Sequence, residues 1–78
     1  MTFLISFPST KFALKAETAF QKQFADSRLI PLPVKISASC GLALLAETED
    51  QPAVSHLAEK FSGVVYLKTE SEYRQLED

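Results

Sequence analysis

Two apolar rhythms alternate along the chain, and their alternation lays out its elements. Met1 to Phe7 is nearly all apolar and stops at Pro8, which predicts a buried strand. Pro8-Ser9-Thr10 turns the chain into a helix with Ser9 or Thr10 as its N-cap. From there Phe12, Ala16, Phe20 and Phe24 recur four apart, and Ala13 and Ala19 widen the stripe. Lys11, Lys15, Thr18 and Lys22 fall mostly on the other side, so the helix is amphipathic and covers one face of a sheet. Asp26-Ser27 ends it.

Arg28 to Pro33 is a second extended segment, and its two prolines, which cannot donate ladder hydrogen bonds, assign it to a sheet edge. A third strand, Gly41-Leu42-Ala43-Leu44-Leu45-Ala46, is again continuously apolar and therefore central. Thr48-Glu49-Asp50-Gln51-Pro52 starts a second helix with a Thr-x-x-Gln capping pattern and an early proline. Val54, Leu57, Ala58 and Phe61 supply its apolar face, and Gly63 is expected to stop it as a C′ residue. Val64 to Leu67 is a fourth strand, and residues 69–78 form a polar tail or short helix.

The order β-α-β-β-α-β predicts an α+β, ferredoxin-like two-layer sandwich over residues 1–68, an antiparallel sheet with two helices on one face. That arrangement centres the first and third strands, which are the continuously apolar ones here, and puts the proline-bearing second strand at an edge. Leu4, Ala43 and Leu45 alternate with Phe3, Ile5, Leu42 and Leu44, so both faces of the central strands are apolar. The face without helices then needs cover, from the tail through Tyr73 and Leu76 or from a second copy in a homodimer.

Composition narrows the function more than the fold. Seventy-eight residues make one domain, and the net charge of −2 with no basic stripe argues against nucleic acid or an anionic membrane as the main partner. The apolar start lacks a basic flank and is too short for a signal peptide or a spanning helix, so the cytoplasm is expected. A single cysteine cannot form an internal disulfide, which agrees with a reducing compartment. The lack of a Cys-x-x-Cys pair argues against a heavy-metal chaperone or a dithiol oxidoreductase. Two isolated glycines make no phosphate-binding loop, His56 has no partner at metal spacing, and Glu49-Asp50 suits a helix start. No metal or cofactor is expected.

What is left is Cys40, set in Ser37-Ala38-Ser39-Cys40-Gly41 with little side-chain bulk around it. The predicted topology puts the loop between the second and third strands at the same end as the junction of strand one and helix one. Cys40 is therefore expected near Ser9 and Thr10, where the unpaired N–H groups and dipole of the helix favour an anion. A free thiol has a pKa of about 8.5, and such a setting lowers it. The hydroxyls of Ser9, Thr10, Ser37 and Ser39 are candidate hydrogen-bond donors to the thiolate, and Lys35 or Lys11 a candidate positive charge. The residues leave open a reactive thiol or an inert buried one.

Phe7-Pro8-Ser9-Thr10 before an Ala- and Glu-bearing helix, then Ile30-Pro31-x-Pro33-x-x-Ile36-Ser37-x-Ser39-Cys40-Gly41-Leu42, resembles the putative selenium/sulfur carrier protein-like family of small bacterial proteins. The resemblance runs from Phe3 to about Leu67. It implies that Cys40 is the carrier thiol, with Ser39 and Gly41 shaping its site, and that the partners are a desulfurase-like donor and an acceptor of sulfur or selenium. Such a protein is a carrier rather than an enzyme, since donor and acceptor supply any base. A different class stays open beside it: a small regulatory or interaction module in which Cys40 is structural or redox-sensing. A thiol transferase is a third, weakened by the missing base.

Overall fold

The computed structural model describes residues 1–36 and 41–76. In chain order the elements are β1 (Thr2–Ser6), α1 (Thr10–Gln23), β2 (Arg28–Pro31), β3 (Leu42–Glu47), α2 (Gln51–Glu59), β4 (Val64–Lys68) and β5 (Tyr73–Gln75). The sheet runs β2-β3-β1-β4-β5 with every neighbouring pair antiparallel. The first four strands and both helices are ferredoxin-like, with β1 and β3 inside as their apolar runs require. Residues 73–75 differ from the expected tail or helix: a turn closed by Thr69 N–H on the Glu72 carbonyl (2.9 Å) folds them back as a fifth strand.

Cross-strand pairing sorts the side chains. Phe3 pairs with Ala46 and Leu67, and Ile5 with Leu44 and Val65, all on the helix-bearing face. Ala13, Ala16 and Phe20 of α1 and Val54, Leu57 and Ala58 of α2 pack there as the main core. The buried stripe of α1 departs from the expected one at Phe12, which is 39% exposed, while Ala13, Ala16 and Phe20 are fully buried as expected. Phe20 and Phe24 keep an inclined ring contact, centroids 5.9 Å apart. Leu4, Ala43, Leu45 and Tyr66 lie on the opposite face, and Ile36 and Tyr73 join them in a second core. Leu76, expected with Tyr73, instead packs against the helix-side core, since alternate residues of a strand point to opposite faces.

Both helices start on side-chain caps. Ser9, in an extended conformation, accepts the Phe12 N–H at 3.4 Å. For α2 the cap is Asp50 rather than Thr48. Its carboxylate accepts the Ala53 N–H at 3.2 Å, while Thr48 Oγ1 accepts the Asp50 N–H at 3.1 Å. Pro52 has no N–H to satisfy, which leaves Ala53 as the donor within reach.

The end of α2 corrects the role expected of Gly63. The Gly63 N–H donates to the Ala58 carbonyl (2.9 Å) and the Ser62 N–H to that of Glu59 (3.2 Å), the paired bonds of a Schellman motif. The left-handed residue is Ser62, at φ 57°, and Gly63 follows it. A Cβ on Gly63 would lie 2.6 Å from Ile5 Cγ2 and 3.2 Å from the Ala58 carbonyl oxygen, so close approach to β1 demands glycine.

In urea denaturation, Gly63→Ala is expected to lose about 1–3 kcal/mol through overpacking. Ser62→Gly is expected to gain about 0.5–1 kcal/mol by relieving the left-handed backbone. Equal effects at the two positions would contradict this division of roles.

Candidate functional site

Register fixes which end of the sheet carries the site. Ser6 pairs with Ala43 and Pro31 with Leu42, so β1 hands over to α1 at the same end where the β2–β3 connection returns to the sheet. Gly41 enters β3 there, exposed, with its carbonyl accepting the Leu32 N–H at 2.9 Å. A Cβ on Gly41 would meet nothing within 4 Å, and its φ is not positive, so neither space nor backbone requires glycine. Cys40, Ser37 and Ser39 lie outside the described residues.

Ser9 and Thr10 stand together at this end. Ser9 Oγ is engaged as the cap acceptor, and Thr10, exposed, is the first residue of α1. The first-turn N–H groups of α1 give this end of the sheet a partial positive charge. Lys11 is exposed on the same turn.

Lys35 goes elsewhere. Leu32 leaves the ladder, and the Ile36 N–H then donates to the Pro33 carbonyl at 3.0 Å, closing a tight turn over Val34 and Lys35. The turn puts Val34 wholly in solvent and buries Ile36 to 7% exposure on Leu4 and Ala43. It also delivers Lys35 Nζ to the Ser71 carbonyl at 2.7 Å, in the β4–β5 turn. That turn is at the Thr2 end of β1, because Thr2 pairs with Lys68 and Lys68 with Tyr73. The ammonium is thus committed to the end of the sheet opposite Ser9 and Thr10.

This strap, residues 32–36, is the feature sequence reasoning missed. It covers the face without helices, a job expected of the C-terminal tail or a second copy. Its signal was Ile36, an apolar residue in a stretch bracketed by prolines and serines. The strap and the β4–β5 turn bound a groove of about 390 Å³ lined by Pro33, Val34, Lys35, Lys68, Thr69 and Tyr73, among others.

At the Thr2 end of β1, the Met1 amine hydrogen-bonds Glu49 and lies 3.7 Å from Glu47, and these carboxylates raise its pKa above the usual value. His56 is exposed on α2. Among the described residues no three His, Cys, Asp or Glu side chains are grouped to hold a metal, and no helix is long and apolar enough to cross a membrane.

The family model described as putative Se/S carrier protein-like matches residues 2–72, from β1 to the β4–β5 turn. No curated protein and no solved structure matches the chain.

Two substitutions separate the strap from the β3 entry. Ile36→Ala is expected to cost about 2–3 kcal/mol in thermal or urea unfolding, at the lower end for a buried aliphatic, because a surface strap collapses more readily than a core helix. Gly41→Ala is expected to leave stability unchanged or raise it by up to about 1 kcal/mol, since the added methyl meets no neighbour and the unfolded chain loses freedom. A strongly destabilised Gly41→Ala would overturn the account of that position.

Proposed function

Since the chain belongs to the putative Se/S carrier protein-like family, we propose that it carries sulfur or selenium as a covalent adduct of the Cys40 thiol. The observation that carries this reading is the family match over residues 2–72, a span that includes the chain's one cysteine. Two features support it. The residue that follows Cys40, Gly41, is exposed at the end of the sheet where α1 begins. The partial positive charge of a helix start favours a thiolate over a thiol in that neighbourhood.

Loading needs only one thiol. The Cys40 thiolate attacks the terminal sulfur of a donor persulfide, a new S–S bond forms as the donor's S–S bond breaks, and the donor cysteine leaves as its thiolate. Cys40 then holds Cys–S–SH, which ionises to Cys–S–S⁻ by giving its proton to solvent, with no net oxidation or reduction. A donor selenosulfide gives Cys–S–SeH by the same displacement, and this too loses its proton to solvent. Delivery repeats the step with an acceptor thiolate, and Cys40 is the leaving group. Donor and acceptor are proteins that bring their own acid–base groups. Gly41 and the serines at 37 and 39 are small neighbours of Cys40 in the sequence, and the hydroxyls of Ser9, Thr10, Ser37 and Ser39 are the proposed hydrogen-bond donors to an adduct's charge. Lys35, bonded to Ser71, has no part in this.

The test is the intact mass of the protein after incubation with a cysteine desulfurase and cysteine, then with selenocysteine. A gain of one sulfur or selenium atom, removed by reductant and absent in Cys40→Ser, is the expected result. No adduct, together with a Cys40 that resists alkylation in the folded protein, would overturn the carrier reading.

A further inference from the structure

The sheet has two free edges, and they are built differently. Along β2, Leu32 bonds inward to Gly41, and hydrogen-bonded positions alternate with outward-facing ones. The outward positions are therefore Leu29, Pro31 and, just past the strand, Pro33. Proline has no N–H to offer a further strand, so this edge is closed to pairing. Along β5 the inward positions are Glu72, Arg74 and Leu76. Thr69 bonds Glu72, the Leu76 N–H donates to the Val65 carbonyl at 2.9 Å, and Arg74 pairs with Leu67 between them. Tyr73 and Gln75 consequently turn their N–H and C=O groups out of the sheet, and among the described residues no strand receives them. No proline blunts this edge.

The side chains of β5 say what fits it. Glu72 and Arg74 are both exposed and share the helix-bearing face, two residues apart. Among the described residues neither forms an ion pair within its own chain. We propose that β5 pairs with the β5 of a second copy, antiparallel about a two-fold axis through Tyr73. In this register Tyr73 exchanges both its backbone hydrogen bonds with Tyr73 of the second copy. Arg74 then lies directly opposite Glu72, and by symmetry the contact occurs twice. The register centred on Arg74 would set two guanidinium groups against each other and is disfavoured. β1 and β4 separate this edge from β3, so pairing leaves Gly41 and the start of α1 open in both copies. The interface differs from a dimer through the strapped face, which Ile36 already occupies.

So short a strand pairing belongs with the small, weak interfaces, and association is therefore concentration-dependent. Sedimentation equilibrium from about 1 μM to about 1 mM should show a monomer–dimer equilibrium. Amide exchange at Tyr73 and Gln75 should slow as the dimer fills. Glu72→Arg and Arg74→Glu each place like charges at both contacts and should weaken self-association at least about tenfold. Mixed together, these two variants should associate with each other, and the double exchange Glu72→Arg/Arg74→Glu should restore the homodimer, which also controls for folding. A chain that stays monomeric throughout, or a dimer indifferent to these charge reversals, overturns the proposal.

Discussion

Burial of β1 on both faces is the constraint on which the rest of the molecule depends. Phe3, Leu4 and Ile5 are consecutive and wholly buried, so the strand points large apolar groups into both sides of the sheet. Each such side chain is worth about 1.5–3 kcal/mol when fully covered, a large share of the margin of a domain this small. Two helices can cover one face of the sheet and no more. The other face is closed by the β2–β3 connection, which sets Ile36 on Leu4 and Ala43, with Tyr73 of β5 beside it.

This gives the connection two duties. Residues 32–36 are part of the second core, while residues 37–40 carry the cysteine between Ile36 and the β3 entry at Gly41. The described ends of that segment are both anchored, one by burial of Ile36 and one by the hydrogen bond from Leu32 to Gly41. Burial and ladder pairing thus fix the residues on either side of the cysteine-bearing segment. The Lys35–Ser71 bond adds a third tie, across the sheet to the β4–β5 turn.

The two glycines show how differently one residue type serves a fold. Gly63 is pressed against Ile5, Phe7 and the end of α2, and its missing side chain lets helix and strand meet. Gly41 has open space above it and a backbone without positive φ, so neither packing nor conformation demands glycine there. The prolines divide in the same manner. Pro52 opens a helix at a position that needs no donor, whereas Pro31 and Pro33 seal one edge of the sheet and leave β5 as the other.

By itself the sequence determined the order of the elements and which strands lie inside, because the signals involved are local. Continuous apolar runs marked β1 and β3, prolines marked β2 as an edge, and a spacing of three and four marked both helices. It also singled out Cys40 as the one residue able to carry a thiol adduct, since nothing about that choice depends on folding. Tertiary structure decided the rest. Phe12 left the buried stripe, while Ala13, Ala16 and Phe20 stayed in it, because how α1 lies on the sheet, and not periodicity alone, sets which residues are covered. Lys35 went to Ser71, Ile36 to Leu4, and Tyr73 and Leu76 to opposite faces. Each of these contacts joins segments far apart in the chain. Which loop covers an apolar face is a competition among distant segments for the same space, and only the assembled sheet settles it.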